Sequence, residues 1–145
     1  GGANLTPVER ELAILRVAAV TNAPYGRQQH EQLARAVGIG EPEIEATATD
    51  APEAVLDADG ALICRAADEI TRDVRLSDAT LAAVRERWGD GGTAELVLCV
   101  GYYNMVSRFL ESTRVPLETG DLLAGTTPGE IVEEGRALAD ERAGE

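Results

Sequence analysis

The chain has 145 residues, 44% of them hydrophobic, and a formal net charge of −13. This length and composition suit one globular domain with a buried core. A surface this acidic repels nucleic-acid phosphates and anionic lipids, so neither nucleic acid nor a membrane is an expected partner. All 13 basic residues are arginine. Without lysine, Schiff-base and pyridoxal-phosphate chemistry are excluded.

The amino-terminal part predicts two helices joined by a short turn. Residues 6–9, "TPVE", have the form of a capping box with proline at the first helical position, and predict a helix to about Asn22. A second helix is predicted from about Pro24 to Val37, ending at Gly38. A turn this short favours antiparallel packing of the two helices.

The rest of the chain also shows helical periodicity, and no stretch alternates convincingly with period two. Five further helices are predicted, with approximate bounds 40–47, 57–75, 77–88, 93–113 and 127–142. The sequence "GDGG" at 89–92 predicts the break before the long apolar helix 93–113, which we expect to be the central one. The predicted fold class is all-α, a compact bundle of roughly seven helices in a single domain spanning 1–145.

The cysteines and the single histidine limit redox and metal chemistry. Cys64 and Cys99 stand alone in apolar helical segments, which favours two buried thiols. One histidine and two separated cysteines do not predict a zinc site, so no metal or cofactor is expected. The absence of a disulfide framework favours a cytoplasmic location.

One pair of residues suggests chemistry. His30 lies on the apolar side of the second helix, with Arg27 one turn before it. Glu11 on the first helix has apolar helical neighbours, so its carboxylate should be partly desolvated, and antiparallel packing brings it towards His30. However, a histidine on an apolar face is usually a satisfied core residue, and such a glutamate usually pairs with an arginine, here Arg16 or Arg27. Spacing alone therefore leaves both interpretations open.

The segment "ERELAILRVAAVTNAPYGRQQHEQLARAVGIGEPEIEAT" and the later "GYYNMVSRF" resemble the carboxymuconolactone decarboxylase family, which includes the alkylhydroperoxidases. The resemblance covers nearly the whole chain. It implies an all-helical fold of the alkylhydroperoxidase-like type and a homotrimer or hexamer, with the helix 127–142 a candidate for subunit contacts.

The resemblance also implies site positions. In the peroxidase branch a glutamate, a Cys-x-x-Cys pair and a histidine act together, and these positions fall on Glu11, Ala23, Gly26 and His30. Neither Ala23 nor Gly26 can form a thiolate, so the resemblance implies the decarboxylase-like branch and no peroxidase activity. In that branch a glutamate and a tryptophan often precede the histidine, where this chain has Gly26 and Arg27.

The predicted function is a cofactor-independent acid–base enzyme that decarboxylates, or transfers a proton on, a small carboxylate- or lactone-bearing anion. His30 is the predicted acid or base, Glu11 orients it, and Arg27 holds the anion unless it pairs with Glu11 or Glu31. Further predicted substrate contacts, each of which could instead be structural, are Tyr25, Tyr102, Tyr103 and Asn104. Two alternatives remain: a biosynthetic lyase, cyclase or isomerase for a polyunsaturated or polyketide-like substrate, and a redox-inactive ligand-binding or assembly protein.

Overall fold

The computed structural model describes residues 4–116. Within this range there are helices and turns but no strand, which confirms the all-α fold class. A short 3-10 turn at Pro52–Ala54 precedes the fourth helix. The α-helices are α1 Pro7–Val20, α2 Pro24–Ala36, α3 Glu41–Ala46, α4 Ala58–Asp73 and α5 Asp78–Ser112. The predicted helix 127–142 lies outside the described residues, and the single domain over 1–145 stays a prediction.

Helix α1 is the centre of the bundle. The capping box is present: the Thr6 hydroxyl accepts from the Glu9 backbone N–H at 3.2 Å, and the Glu9 carboxylate accepts from the Thr6 N–H at 2.8 Å. Every residue from Leu12 to Ala18 is buried, and α1 packs against α2, α4 and α5. Apart from Arg16 these buried residues are all apolar, and apolar residues on several faces are typical of a largely buried helix.

The predicted break at 89–92 is a kink at one residue. Gly89 has φ 68° and ψ −175°, while the helix continues on either side of it. A positive φ of this kind favours glycine. The hydroxyl of Thr93 donates to the Gly89 carbonyl at 2.6 Å. The helices predicted over 77–88 and 93–113 are therefore one kinked helix. Of the roughly seven predicted helices six fall within residues 4–116, and this number is corrected to five α-helices.

The carboxyl-terminal half of α5 leaves one apolar face uncovered. Four large side chains spaced four, three and four residues apart are each more than half exposed: Leu98, Tyr102, Met105 and Phe109. We call these four residues the α5 stripe. Because this face lies outside the core, the prediction that residues 93–113 form the central helix is wrong. Among the described residues, no helix is both long and apolar enough to cross a bilayer.

Candidate active site

His30 and Glu11 form a hydrogen-bonded pair across the interface between α1 and α2. The His30 Nδ1 atom lies 2.8 Å from Glu11 Oε2, and the two side chains are only 12% and 14% exposed. A carboxylate at Nδ1 favours the tautomer with its proton on that nitrogen. The Nε2 atom is then the one that can exchange a proton with a ligand.

The turn between the helices sets up this pair. Asn22 takes a positive φ of 50°, a conformation that asparagine tolerates better than most residues. The Ala23 N–H donates back to the Ala18 carbonyl at 2.9 Å, and Pro24 begins α2 with a suitable fixed φ. The chain reverses tightly, so α2 returns alongside α1 and His30 reaches Glu11, as antiparallel packing predicts.

His30 lines a narrow cavity between α1, α2 and the end of α5. The cavity volume is about 20 Å³, room for about one water molecule. Apolar and small residues form most of its wall: Ile14, Ala18, Ala23, Gly26, Val106 and Leu110. The polar residues of the wall are Gln29, His30, Tyr103, Ser107 and Glu111. A ligand larger than water therefore enters only if a wall side chain moves.

Of the three predicted tyrosines, only Tyr103 lines the cavity. Its ring meets the His30 ring edge-on, with centroids 5.0 Å apart, and Tyr102 packs on its other side at 5.1 Å. Burial raises the pKa of the Tyr103 hydroxyl, and the nearby Glu11 carboxylate raises it further. Tyr103 therefore remains a hydrogen-bond donor at neutral pH, while Tyr102 belongs to the exposed α5 stripe.

Arg27 was predicted to hold the substrate, but its guanidinium is directed away from the cavity. Its Nε donates to Glu31 at 2.8 Å, and Nη2 donates to the Ile44 carbonyl at 2.7 Å. Its Nη1 donates to the Leu15 carbonyl at 3.2 Å and to the Thr47 hydroxyl at 2.6 Å. The pairing with Glu31, one of the alternatives left open by the sequence, is the one present. The carbonyls need donors, and Arg27 supplies them.

Tyr25 and Asn104 also lie outside the cavity wall. The Tyr25 hydroxyl accepts from Nε2 of Gln29 at 2.8 Å, and Gln29 lines the cavity. Asn104 Nδ2 donates at 2.9 Å to the Thr71 hydroxyl, which joins α5 to α4. The structure thus brings together His30, Glu11 and Tyr103, and places Arg27, Tyr25, Tyr102 and Asn104 elsewhere.

The segment that holds this pair matches a known family. The carboxymuconolactone decarboxylase family matches the chain over residues 2–69, just under half of its length. The similarity is shown for this segment, and residues 70–145 lie outside it. No curated protein matches the chain. Glu11 and His30 both lie inside the family segment, whereas Tyr103 and the α5 wall of the cavity lie beyond it.

Three polar residues of the cavity wall were missed from the sequence: Gln29, Ser107 and Glu111. A signal for the last two was present, because Tyr103, Ser107 and Glu111 are spaced four apart and share one helical face. Gln29 is four residues after Tyr25 and directly before His30. On α5 the residues at helical spacing from Tyr103 line the cavity, whereas Asn104, its direct neighbour in the sequence, does not.

The two thiols are not part of the cavity wall. Cys64 is buried, as predicted, and Cys99 is partly buried. Burial raises the pKa of Cys64 to about 12 and that of Cys99 to about 11. Both therefore remain protonated at neutral pH, and a protonated thiol is a weak nucleophile. Ala23 and Gly26, which stand at the cysteine positions of the peroxidase branch, do line the cavity.

Proposed function

We propose that the chain is a cofactor-independent acid–base enzyme in which His30 moves a proton to or from a small organic substrate. The observation that carries this proposal is the 2.8 Å contact between His30 and Glu11, both largely buried, at the wall of a cavity. A positioned histidine that can change charge near neutral pH is the commonest general acid or base. The family match is compatible with an enzyme and leaves the reaction open.

The proton would move through His30 Nε2. As a base, Nε2 takes a proton from a carbon next to a carbonyl, and the electrons of the broken C–H bond form an enolate. The resulting imidazolium is stabilised by the Glu11 carboxylate on its other nitrogen. Return of the same proton to a different carbon completes an isomerisation, and loss of a leaving group from the enolate completes a lyase reaction. No external oxidant or reductant is required.

Decarboxylation is the narrower form of this proposal, and the cavity supports it less well. A carboxylate that leaves as CO2 must first be held, and the wall residues within 4–116 include no arginine, since Arg27 is engaged elsewhere. Ala23, the N-cap of α2, lines the cavity without a side-chain cap. The positive end of this helix would favour a developing enolate. We therefore favour isomerisation, lactone opening or cyclisation over decarboxylation of an anion.

Proton transfer can be tested before the product is known. Small enones, lactones and β-keto acids are incubated with the protein in D2O, and deuterium incorporation at carbon is followed by NMR. We expect His30→Ala to slow the exchange by roughly 10²–10⁴-fold, with a clear loss also in Glu11→Gln. The matched control is Glu86→Gln, an exposed glutamate on α5, which should exchange at the wild-type rate.

Two results would overturn the proposal. Full exchange in both His30→Ala and Glu11→Gln, with folding confirmed by circular dichroism, would show that the pair does not carry the proton. Saturable binding of these compounds with no exchange at any carbon would favour the alternative of a ligand-binding protein.

We also propose that the protein is not a peroxidase. Its thiols lie away from the cavity, and their pKa values of about 12 and 11 keep them protonated. Organic hydroperoxides should therefore not be reduced with thiol donors. A peroxidase activity that persists after both Cys64 and Cys99 are replaced by alanine would contradict the proposed site.

Self-association is proposed as well, as a homotrimer or hexamer. The α5 stripe supports it, because four neighbouring large apolar side chains on one helix face mark an interaction surface. Light scattering at micromolar concentration should give an oligomer, and Leu98→Glu with Phe109→Glu should shift it towards the monomer. A wild-type monomer would count against this part of the proposal.

A further inference from the structure

Besides His30 and Tyr103, three polar residues line the cavity: Gln29, Ser107 and Glu111. We infer that these three residues form a hydroxyl subsite, which selects substrates carrying a neutral hydroxyl on an apolar body. This inference rests on the proposed function, since it names the substrate class of the same site. It concerns residues that the acid–base step does not use.

Ser107 is the first observation. Its side chain lines the cavity, and the residue is only 7% exposed. Within residues 4–116 its hydroxyl has no hydrogen-bond partner. A helical hydroxyl commonly bonds to the carbonyl four residues back, as Thr113 does to Phe109 at 2.8 Å on the same helix. Because Ser107 lines the cavity, its hydroxyl can donate to or accept from a ligand there.

Gln29 is the second observation. Its Nε2 donates to the Tyr25 hydroxyl at 2.8 Å, which orients the carboxamide. The amide oxygen then remains as an acceptor. Tyr25 is thus a positioning residue for Gln29, and the predicted contact between Tyr25 and the substrate becomes an indirect one.

Glu111 is the third observation. It lies one turn after Ser107 and forms no salt bridge with any described residue. Arg114 donates to the backbone carbonyl of Glu111 and to that of Ser112. The carboxylate is therefore available as a strong, charged acceptor.

The charges of these groups decide the ligand class. Glu111 and the Gln29 oxygen accept, while Ser107 can donate or accept, so the subsite is complementary to a group that donates. A ligand carboxylate would meet the Glu111 carboxylate, and no arginine is among the described residues of the wall. A ligand ammonium would lose its hydration in a mostly apolar cavity, which is costly. A hydroxyl avoids both penalties, and the volume of about 20 Å³ matches one water-sized group.

Binding of three ring compounds tests the inference by calorimetry or NMR titration. Phenol carries a hydroxyl, anisole carries the same oxygen without a donor, and benzoate carries a negative charge. We expect phenol to bind about tenfold more tightly than anisole, the difference of one good hydrogen bond, and benzoate to bind more weakly than both. Ser107→Ala combined with Glu111→Gln should reduce phenol affinity to that of anisole and leave anisole unchanged.

Matched controls and a separate readout complete the test. Ser112→Ala and Glu86→Gln change exposed residues of the same helix and should keep the tenfold ratio. Three results would overturn the inference. They are phenol binding that does not saturate, phenol binding no tighter than that of anisole, and a ratio of phenol to anisole affinity that is unchanged in the double variant. His30→Ala should lose carbon exchange while keeping the ratio. A wild-type protein that shows the ratio without exchange refutes the proposed function, and exchange without the ratio refutes the subsite.

Discussion

Helix α2 carries two polar residues three positions apart, and the fold treats them in opposite ways. Arg27 donates hydrogen bonds to four acceptors on α1, α2 and the end of α3. His30 has one short contact, to Glu11, and otherwise faces Tyr103 and a cavity. A polar side chain whose donors are bonded within the protein stabilises the fold. One whose bonding capacity is left open beside a cavity is the candidate for chemistry.

A second, buried arginine bonds to the same part of the chain as Arg27. Arg16 donates from Nε and Nη2 to Asp68 at 2.6 and 2.9 Å, and from Nη1 to the carbonyls of Thr47 and Thr49. Together Arg16 and Arg27, which we call the arginine anchor, satisfy carbonyls at and just beyond the carboxyl end of α3. Positive charge near the carboxyl end of a helix also interacts favourably with the helix dipole, whose negative end lies there. The comparison between the arginine anchor and the cavity side of α2 leads to four predictions.

The largest effect is expected for Arg16→Ala. The substitution leaves the partly buried Asp68 carboxylate and two carbonyls without their donor, so we expect the free energy of unfolding to fall by about 3–5 kcal/mol. Urea denaturation measures it. Arg65→Ala, at an exposed arginine on α4, should cost under about 1 kcal/mol. Equal losses in the two variants would show that the anchor is no more important than a surface charge.

Arg27→Ala should lower the free energy of unfolding by about 2–3 kcal/mol, because several acceptors lose a charged donor. On the folded variant, phenol should bind as it does to the wild type. Arg27→Lys keeps the positive charge but loses the planar guanidinium with its several N–H donors, so this variant should be destabilised as well. An Arg27→Lys variant that is as stable as the wild type but binds phenol more weakly would instead indicate that Arg27 contacts the substrate.

Cys64, whose thiol lies near Arg16, is a probe of how well water is excluded around the arginine anchor. Burial raises its pKa from 9.0 to about 12 in the folded chain. Between these values the unfolded thiol has lost a proton that the folded thiol keeps, so stability falls as pH rises from 9. The contribution approaches roughly 1 kcal/mol per pH unit. The free energy of unfolding of the wild type and of Cys64→Ala is measured at pH 7, 9 and 10.5. It should fall less with rising pH in the variant, and an equal fall in both proteins would contradict this prediction.

The smallest effect is expected on the cavity side, at Gly26→Ala. A Cβ built at Gly26 meets nothing within 4 Å. Removing a helical glycine should therefore stabilise the chain by roughly 0.5–1 kcal/mol. The added methyl group narrows the cavity, so phenol affinity should drop. At Gly40 the same substitution places a Cβ 3.2 Å from the Glu43 carboxylate that closes the α3 capping box, and no gain in stability is expected there.

Local signals in the sequence were sufficient for the helices and for the proximity of two site residues. The capping residues Thr6, Asp57 and Ser77 each accept a backbone N–H from the first turn of their helix, and Pro24 begins α2. These signals act over three or four residues, which is the range that a sequence pattern can express. The proximity of His30 and Glu11 followed from a short turn and two helical periods.

Local signals failed wherever the partner is distant along the chain. Arg27 and His30 share a face by spacing, yet Arg27 bonds to residues 17 and 20 positions away, on and just after α3. Asn104 stands next to Tyr103 in the sequence, but it bonds to Thr71 on α4, 33 residues away. Helical periodicity indicates which side of a helix is apolar, but it does not indicate which neighbouring element covers that side.

The sequence by itself determined the all-helical class and the ends of most helices, and it placed His30 and Glu11 on adjacent antiparallel helices without deciding whether Glu11 pairs with His30 or with an arginine. The tertiary structure decided which polar groups are already satisfied and which face a cavity. The reason is physical: capping and periodicity are local and are written in neighbouring residues. Hydrogen-bond satisfaction depends on carbonyls and side chains from other helices, as the bonded Arg27 and the unbonded Ser107 show.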